Sequence, residues 1–185
     1  MRRVLLLILV LGSVGVFAQR PAVSPRPDEL EKIQLIDVDG QPLALSDYKG
    51  RIVVLSTWGI WCAPCRMLEP TLNHVAQTYK DSGVVVIGLN IGNDDAKPDS
   101  NRALRRYKKL RQIRYTLTRT ALDAGSAIER YTRSPVVPQT LVLDRDGYVT
   151  GIFRGAGPQI NGRMEDLIKS MMGDGESTPK QNPPK

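Results

Sequence analysis

The sequence predicts an α/β fold, a mixed central sheet flanked by helices, with an N-terminal β-hairpin and an inserted helix. Three observations predict it. Short apolar runs of strand type recur at Ile52–Leu55, Val84–Leu89 and Thr140–Leu143. Between them lie stretches whose apolar residues keep a helical spacing. Both ends of the alternation carry an Asp-Gly turn between apolar segments, the mark of a hairpin. The resulting order, β-α-β-α-β-β-α, indicates a mixed sheet covered by helices.

Taken in order, Ile33–Ile36, the Asp39-Gly40 turn and Leu43–Leu45 form the first hairpin. Ile52–Leu55 is a buried strand that ends before a turn. From Pro64 to Tyr79, residues Met67, Leu68, Leu72, Val75, Ala76 and Tyr79 keep helical spacing, and Pro70 should kink that helix. Val84–Leu89 is a second buried strand. Ser100 can cap a helix running to Arg111, with Ala103, Leu104, Tyr107 and Leu110 turned inward. Tyr115–Leu117 reads as a short additional strand and Ser126–Tyr131 as a short helix. Thr140–Leu143, the turn Asp144–Gly147 and Tyr148–Phe153 make the final hairpin. A helix from Arg163 to Met172 closes the domain, burying Met164, Leu167, Ile168 and Met171.

The chain has 185 residues, 41% of them hydrophobic and 24% charged, which is the composition of a globular domain. Met1-Arg2-Arg3 followed by the apolar run Val4–Leu11 and the small residues up to Ala18 read as a signal peptide, or an uncleaved anchor. Residues 19–29 hold three prolines and read as a linker, and residues 173–185 as a disordered tail. The folded part is therefore residues 30–172. Loss of Arg2 and Arg3 with the signal would lower the net charge from +7 to +5. The protein is expected to be extracytoplasmic, in the bacterial periplasm or cell envelope.

Two cysteines and one histidine leave few chemistries. Both cysteines fall in Trp61-Cys62-Ala63-Pro64-Cys65, between a strand and a helix, where Cys-x-x-Cys signals redox work. At a helix N-terminus the unpaired N–H groups and the dipole favour a thiolate. The thiolate is the attacking species in disulfide exchange, so Cys62 is the expected nucleophile. Cys65, a turn further and less exposed, would resolve the mixed disulfide. Pro64 suits the first helical turn, where its missing N–H is no loss. The alternative is a structural disulfide, although so short a closed loop stabilises a fold little. Zinc would need two more ligands, with His74 the only candidate. No metal and no cofactor are expected.

The run from Gly50 to Cys65, Gly-Arg-Ile-Val-Val-Leu-Ser-Thr-Trp-Gly-Ile-Trp-Cys-Ala-Pro-Cys, resembles the thioredoxin superfamily, and more narrowly its exported TlpA/ResA-like branch. Val38–Lys49 is similar to that branch's N-terminal hairpin, and Leu141–Gly147 to its closing hairpin. The resemblance spans residues 30–172 and implies a thioredoxin-like fold and thiol–disulfide oxidoreductase activity. It also implies a cis-proline facing the disulfide, here Pro138 in Val137-Pro138-Gln139-Thr140. Trp61, Pro64, Val137 and Pro138 would then meet the substrate chain, with Val137 offering backbone groups as in strand addition.

Three departures bear on mechanism. Thioredoxins carry a buried Asp, and this branch often an Asn, where this chain has Ser56. The branch commonly has Glu where this chain has Leu68. Glu69 follows one residue later, about 100° further around the helix. It is read as a solvent-facing residue, with proton transfer for the cysteine pair as its other role. The segment Tyr131–Pro138 is also one residue longer than usual for the branch.

Ala63-Pro64 adds no charge between the cysteines. The expected potential is therefore nearer thioredoxin's about −270 mV than the about −120 mV of a strong oxidant. That favours reduction of protein disulfides in envelope proteins, apocytochrome c among them by resemblance, with a membrane electron donor. The alternative is a thioredoxin-like binding or chaperone module with a structural or vestigial disulfide.

Trp58 and Trp61 read as packing and substrate-rim residues, and His74 as a partly exposed structural histidine. From Asn101 to Leu122 there are eight basic residues and no acidic one: Arg102, Arg105, Arg106, Lys108, Lys109, Arg111, Arg114 and Arg119. A solvated helix face explains them, or a docking surface for an acidic partner or anionic membrane. No nucleic-acid motif accompanies them, and no nucleic-acid partner is expected.

Overall fold

A computed structural model describes Leu30 and residues 33–93, 97–120 and 124–173. The expected signal and linker, residues 1–29, and residues 174–185 of the expected tail lie outside the described residues. The strands are β1 (Leu35–Asp37), β2 (Pro42–Leu43), β3 (Ile52–Trp58), β4 (Val84–Asn90), β5 (Thr116–Thr120), β6 (Gln139–Leu143) and β7 (Val149–Arg154). The helices are α1 (Ala63–Thr78), α2 (Asn101–Leu110), α3 (Ala124–Thr132) and α4 (Pro158–Gly173).

One seven-stranded sheet runs β2-β1-β5-β4-β3-β6-β7. The β3–β4 and β4–β5 pairs are parallel, and the outer pairs antiparallel. Period-two alternation splits the apolar residues between two cores. Val53, Leu55, Ile87, Leu89, Leu141 and Leu143 face one way, against Ile128 of α3. Ile52, Val54, Trp58, Val84, Val86 and Val142 face the other, against α1, α2 and α4. β3 is buried along its whole length, as a strand covered on both faces must be. Its last residue therefore enters the Cys62 turn from the rigid middle of the molecule.

Both hairpins form, and Ser100 caps α2 by accepting the Ala103 N–H at 3.2 Å. Leu45 belongs to a 3-10 turn (Leu45–Tyr48) rather than to the second strand. The Asp47 carboxylate accepts the Ala44 N–H at 2.8 Å and starts that turn. α1 runs through Pro70 as one helix. α4 begins five residues before the expected Arg163, at Pro158, whose fixed φ suits a first helical turn. Asn161 in that turn accepts the Gly157 N–H at 3.3 Å and donates to Thr71 Oγ1 of α1 at 3.0 Å. α4 also runs on to Gly173, the first residue of the expected tail. Leu110, expected to face inward, is exposed at the last turn of α2.

Candidate active site

The turn after β3 sets the redox site. A Cβ on Gly59 would stand 2.5 Å from Trp61 Nε1, so only glycine lets the indole fold back over the loop. Trp61 then donates to the Gly92 carbonyl at 3.0 Å. Cys62 is the N-cap of α1 and Pro64 lies in the first turn. Cys62 and Cys65 form a disulfide with an S–S distance of 1.99 Å. The Cys65 backbone N–H donates to Cys62 Sγ at 3.2 Å, which directs a helix-terminal donor at the first sulfur.

Opposite the disulfide, the Val137–Pro138 bond is cis, as the resemblance implied. The Val137 carbonyl oxygen lies 3.8 Å from Cys62 Sγ. Thr57 clamps the following residue: its hydroxyl accepts the Gln139 N–H at 2.9 Å and donates to the Gln139 carbonyl at 3.2 Å. The Gly155 N–H donates to the Pro138 carbonyl at 2.8 Å. Four of the expected site residues, Cys62, Pro64, Val137 and Pro138, thus meet at one end of β3, with Trp61 44% exposed at their rim.

The expected order of exposure is not found. Cys62 is 1% exposed and Cys65 4%, both within the core cluster, with the Val137 carbonyl against Cys62 Sγ. Trp58 is a core residue, its ring 4.9 Å from that of Tyr107. Ser56 is paired with Thr140, hydroxyl to hydroxyl at 2.9 Å, and Leu68 is buried in the core.

The reading of Glu69 as solvent-facing is corrected. Glu69 is 6% exposed, because α2 packs on the side of α1 that carries it. Tyr107 donates its hydroxyl hydrogen to Glu69 Oε1. Arg111 donates to Oε2 from both Nε and an NH2 group at 2.9 Å. Burial, then the bond to Glu69, pushes the Tyr107 hydroxyl up to about 12. Burial and the Glu69 charge also raise Tyr115, and the bond to Glu69 raises Arg111. Glu69 borders the same small cavity as Cys65. Tyr107, Arg111 and Tyr115 were not singled out as site residues by sequence reading. Their i,i+4 spacing on α2 was visible for the first two, but nothing local tells which helix they meet.

His74 is half exposed, 3.5 Å from Glu165 of α4, in keeping with a structural role. The basic residues divide. Arg105 bonds the Val38 carbonyl, Arg111 holds Glu69, and Arg119 donates to Asn101 Oδ1 at 2.6 Å. Arg102, Arg106, Lys109 and Arg114 are exposed, and among the described residues no carboxylate pairs with them.

A disulfide capping a helix after a buried inner strand, faced by a cis-proline just before the neighbouring strand, defines a thioredoxin-like thiol–disulfide oxidoreductase. The redoxin family model matches residues 21–168. The thiol-disulfide oxidoreductase ResA of Bacillus subtilis is 30% identical over 155 residues, covering 82% of this chain and 80% of that one. Its namesake from Bacillus thuringiensis is 26% identical over 175 residues, covering 91% and 94%. A Chlorobium tepidum protein assigned as the thiol:disulfide interchange protein DsbE superposes with a TM-score of 0.63 at 26% identity, covering 76% and 92%. An exposed lipoprotein thioredoxin of Streptococcus pneumoniae shares the fold with a TM-score of 0.58 at 23% identity, covering 74% and 97%. The chain belongs to the redoxin family, in the TlpA/ResA-like branch of the thioredoxin superfamily.

Proposed function

We propose that this oxidoreductase works outside the cytoplasm and reduces disulfides in envelope proteins, apocytochrome c being one candidate client. The observation that carries the direction of attack is the Cys65 N–H aimed at Cys62 Sγ, which would stabilise a thiolate on that sulfur. The Cys62 thiolate attacks a substrate disulfide, forming a mixed disulfide and releasing one substrate thiolate. Cys65 loses its proton and attacks Cys62 Sγ. The second substrate sulfur departs with the bonding pair and is protonated. The substrate gains two electrons, and the pair becomes the Cys62–Cys65 disulfide. A membrane dithiol donor returns it to the dithiol.

Trp61, Pro64 and the Val137-Pro138 edge hold the substrate chain, and Glu69 takes the Cys65 proton. The Met1–Ala18 pattern supports export, and no helix among the described residues is long and apolar enough to cross a membrane. Exposed Arg102, Arg106, Lys109 and Arg114 supply a docking face for an acidic partner. Cys65→Ser should stall the cycle and accumulate mixed disulfides that reductant releases. Cys62→Ser should accumulate none. Full cellular function in Cys62→Ser would refute the proposal.

A further inference from the structure

Behind Cys65 the core leaves a small cavity. Ser56, Trp58, Cys65, Glu69, Gly88 and Tyr115 are among the residues that bound it. It has room for about one water molecule. The Trp58 Nε1–H is fully buried, and no atom of the described residues accepts its hydrogen. Such a donor bears its whole desolvation penalty unless something in the cavity accepts from it.

Gly88 keeps the indole nitrogen open to that space. A Cβ at Gly88 would stand 3.0 Å from Trp58 Nε1 and 2.8 Å from Leu117 Cδ2. Of the carboxylate oxygens of Glu69, which also borders the cavity, Oε1 takes one hydrogen, from Tyr107, while Oε2 takes two from Arg111. A carboxylate oxygen accepts two, so Oε1 can take one more.

We propose that this cavity holds one structural water, which accepts from Trp58 Nε1 and donates to Glu69 Oε1, and that Trp58 is a positioning residue for the proton of Cys65. The proposal rests on the reading of Cys65 as the resolving thiol. In the mixed disulfide the water also accepts the Cys65 S–H. Its three hydrogen bonds are the usual number for a buried water. The Cys65 proton passes to the water as one of the water's own protons passes to Glu69. The new thiolate attacks Cys62 Sγ, the bond from Cys62 to the substrate breaks, and the departing sulfur is protonated. Between deprotonation and attack the water donates to the Cys65 thiolate, and Trp58 fixes its orientation throughout.

Trp58→Phe removes the donor and keeps an aromatic ring against Tyr107. Resolution of a preformed mixed disulfide, followed in single turnovers across pH, should slow several-fold where Cys65 is protonated. The profile should move to higher pH and rejoin the parent protein where Cys65 ionises unaided. An unmoved profile, or slowing by the same factor at every pH, would overturn the proposal. In the parent protein, magnetisation transfer should join the Trp58 Nε1–H to a long-lived water, and Gly88→Ala should abolish it. A dry indole N–H would overturn the site itself. Were Cys65→Ser to accumulate no mixed disulfide, the resolving role and the relay would fall together, while a water signal at Trp58 would still establish the site.

Discussion

Glu69 shows what one residue of helical offset does. The periodicity of α1 already separates it from position 68, where the branch commonly carries its carboxylate. Periodicity alone places it on no particular neighbour, because its surroundings come from α2, more than thirty residues away in sequence. The partners turn a surface carboxylate into a buried one with three donors. Tyr107 reports this cluster. Its hydroxyl is raised to about 12 in the fold against an ordinary value of about 10. The stabilisation tied to that shift is complete below about pH 10 and is lost as pH rises towards about 12. Ultraviolet titration should show Tyr107 among the late-ionising tyrosines of the parent protein, beside Tyr115, and ionising earlier in Glu69→Leu. Glu69→Leu should also cost about 1–3 kcal/mol, because the buried Tyr107 hydroxyl loses its acceptor. A Tyr107 titration unmoved by Glu69→Leu would show that another group sets it.

At the scale of elements, the hairpins and α1 were legible because their signals are local: Asp-Gly turns, strand runs, and apolar residues at helical spacing. The start of α4 was not, because Gly157-Pro158 and Gly162 read as breakers and the compensating contact, Asn161 to Thr71, is long-range. α4 is fastened to α1 a second time through Glu165. It accepts from the Tyr79 hydroxyl at 2.7 Å and pairs with Lys169 at 3.0 Å. These bonds, the one from Tyr79 first, hold Glu165 below the usual carboxylate range. Its contribution is therefore present above the unfolded carboxylate's pKa and fades as pH falls through the lower folded value. The parent protein should be more stable than Glu165→Gln at neutral pH, and denaturation midpoints should converge in acid. α2 carries the other prediction of this scale. Arg106→Glu with Lys109→Glu should weaken association with an acidic partner several-fold and flatten its salt dependence, leaving the thermal midpoint in place. Unchanged association would exclude the docking face.

The molecule as a whole decides what the disulfide is for. The continuous apolar runs of β3, β4 and β6 made the mixed sheet readable, since strands covered on both faces must be apolar throughout. The close meeting of β3, Pro138 and the Cys62 turn was legible only by resemblance, because no local rule places residue 138 beside residue 62. Stability resides in the two apolar layers against that sheet, where Leu55, Ile87 and Leu141 are fully buried. Truncating one of them, as in Ile87→Ala, should cost about 2–5 kcal/mol. The disulfide closes a loop only three residues in sequence separation, and loop-closure entropy gives it at most about 2 kcal/mol. Reduction also frees Cys62 Sγ to take the Cys65 N–H as a thiolate, a stronger acceptor than a disulfide sulfur, which offsets part of that loss. The dithiol protein should therefore stay folded, its urea midpoint displaced less by reduction than by Ile87→Ala. A catalytic pair requires this, since the fold must survive both halves of the cycle. If reduction alone unfolded the protein at neutral pH, the disulfide would be a structural staple and the chain a binding module.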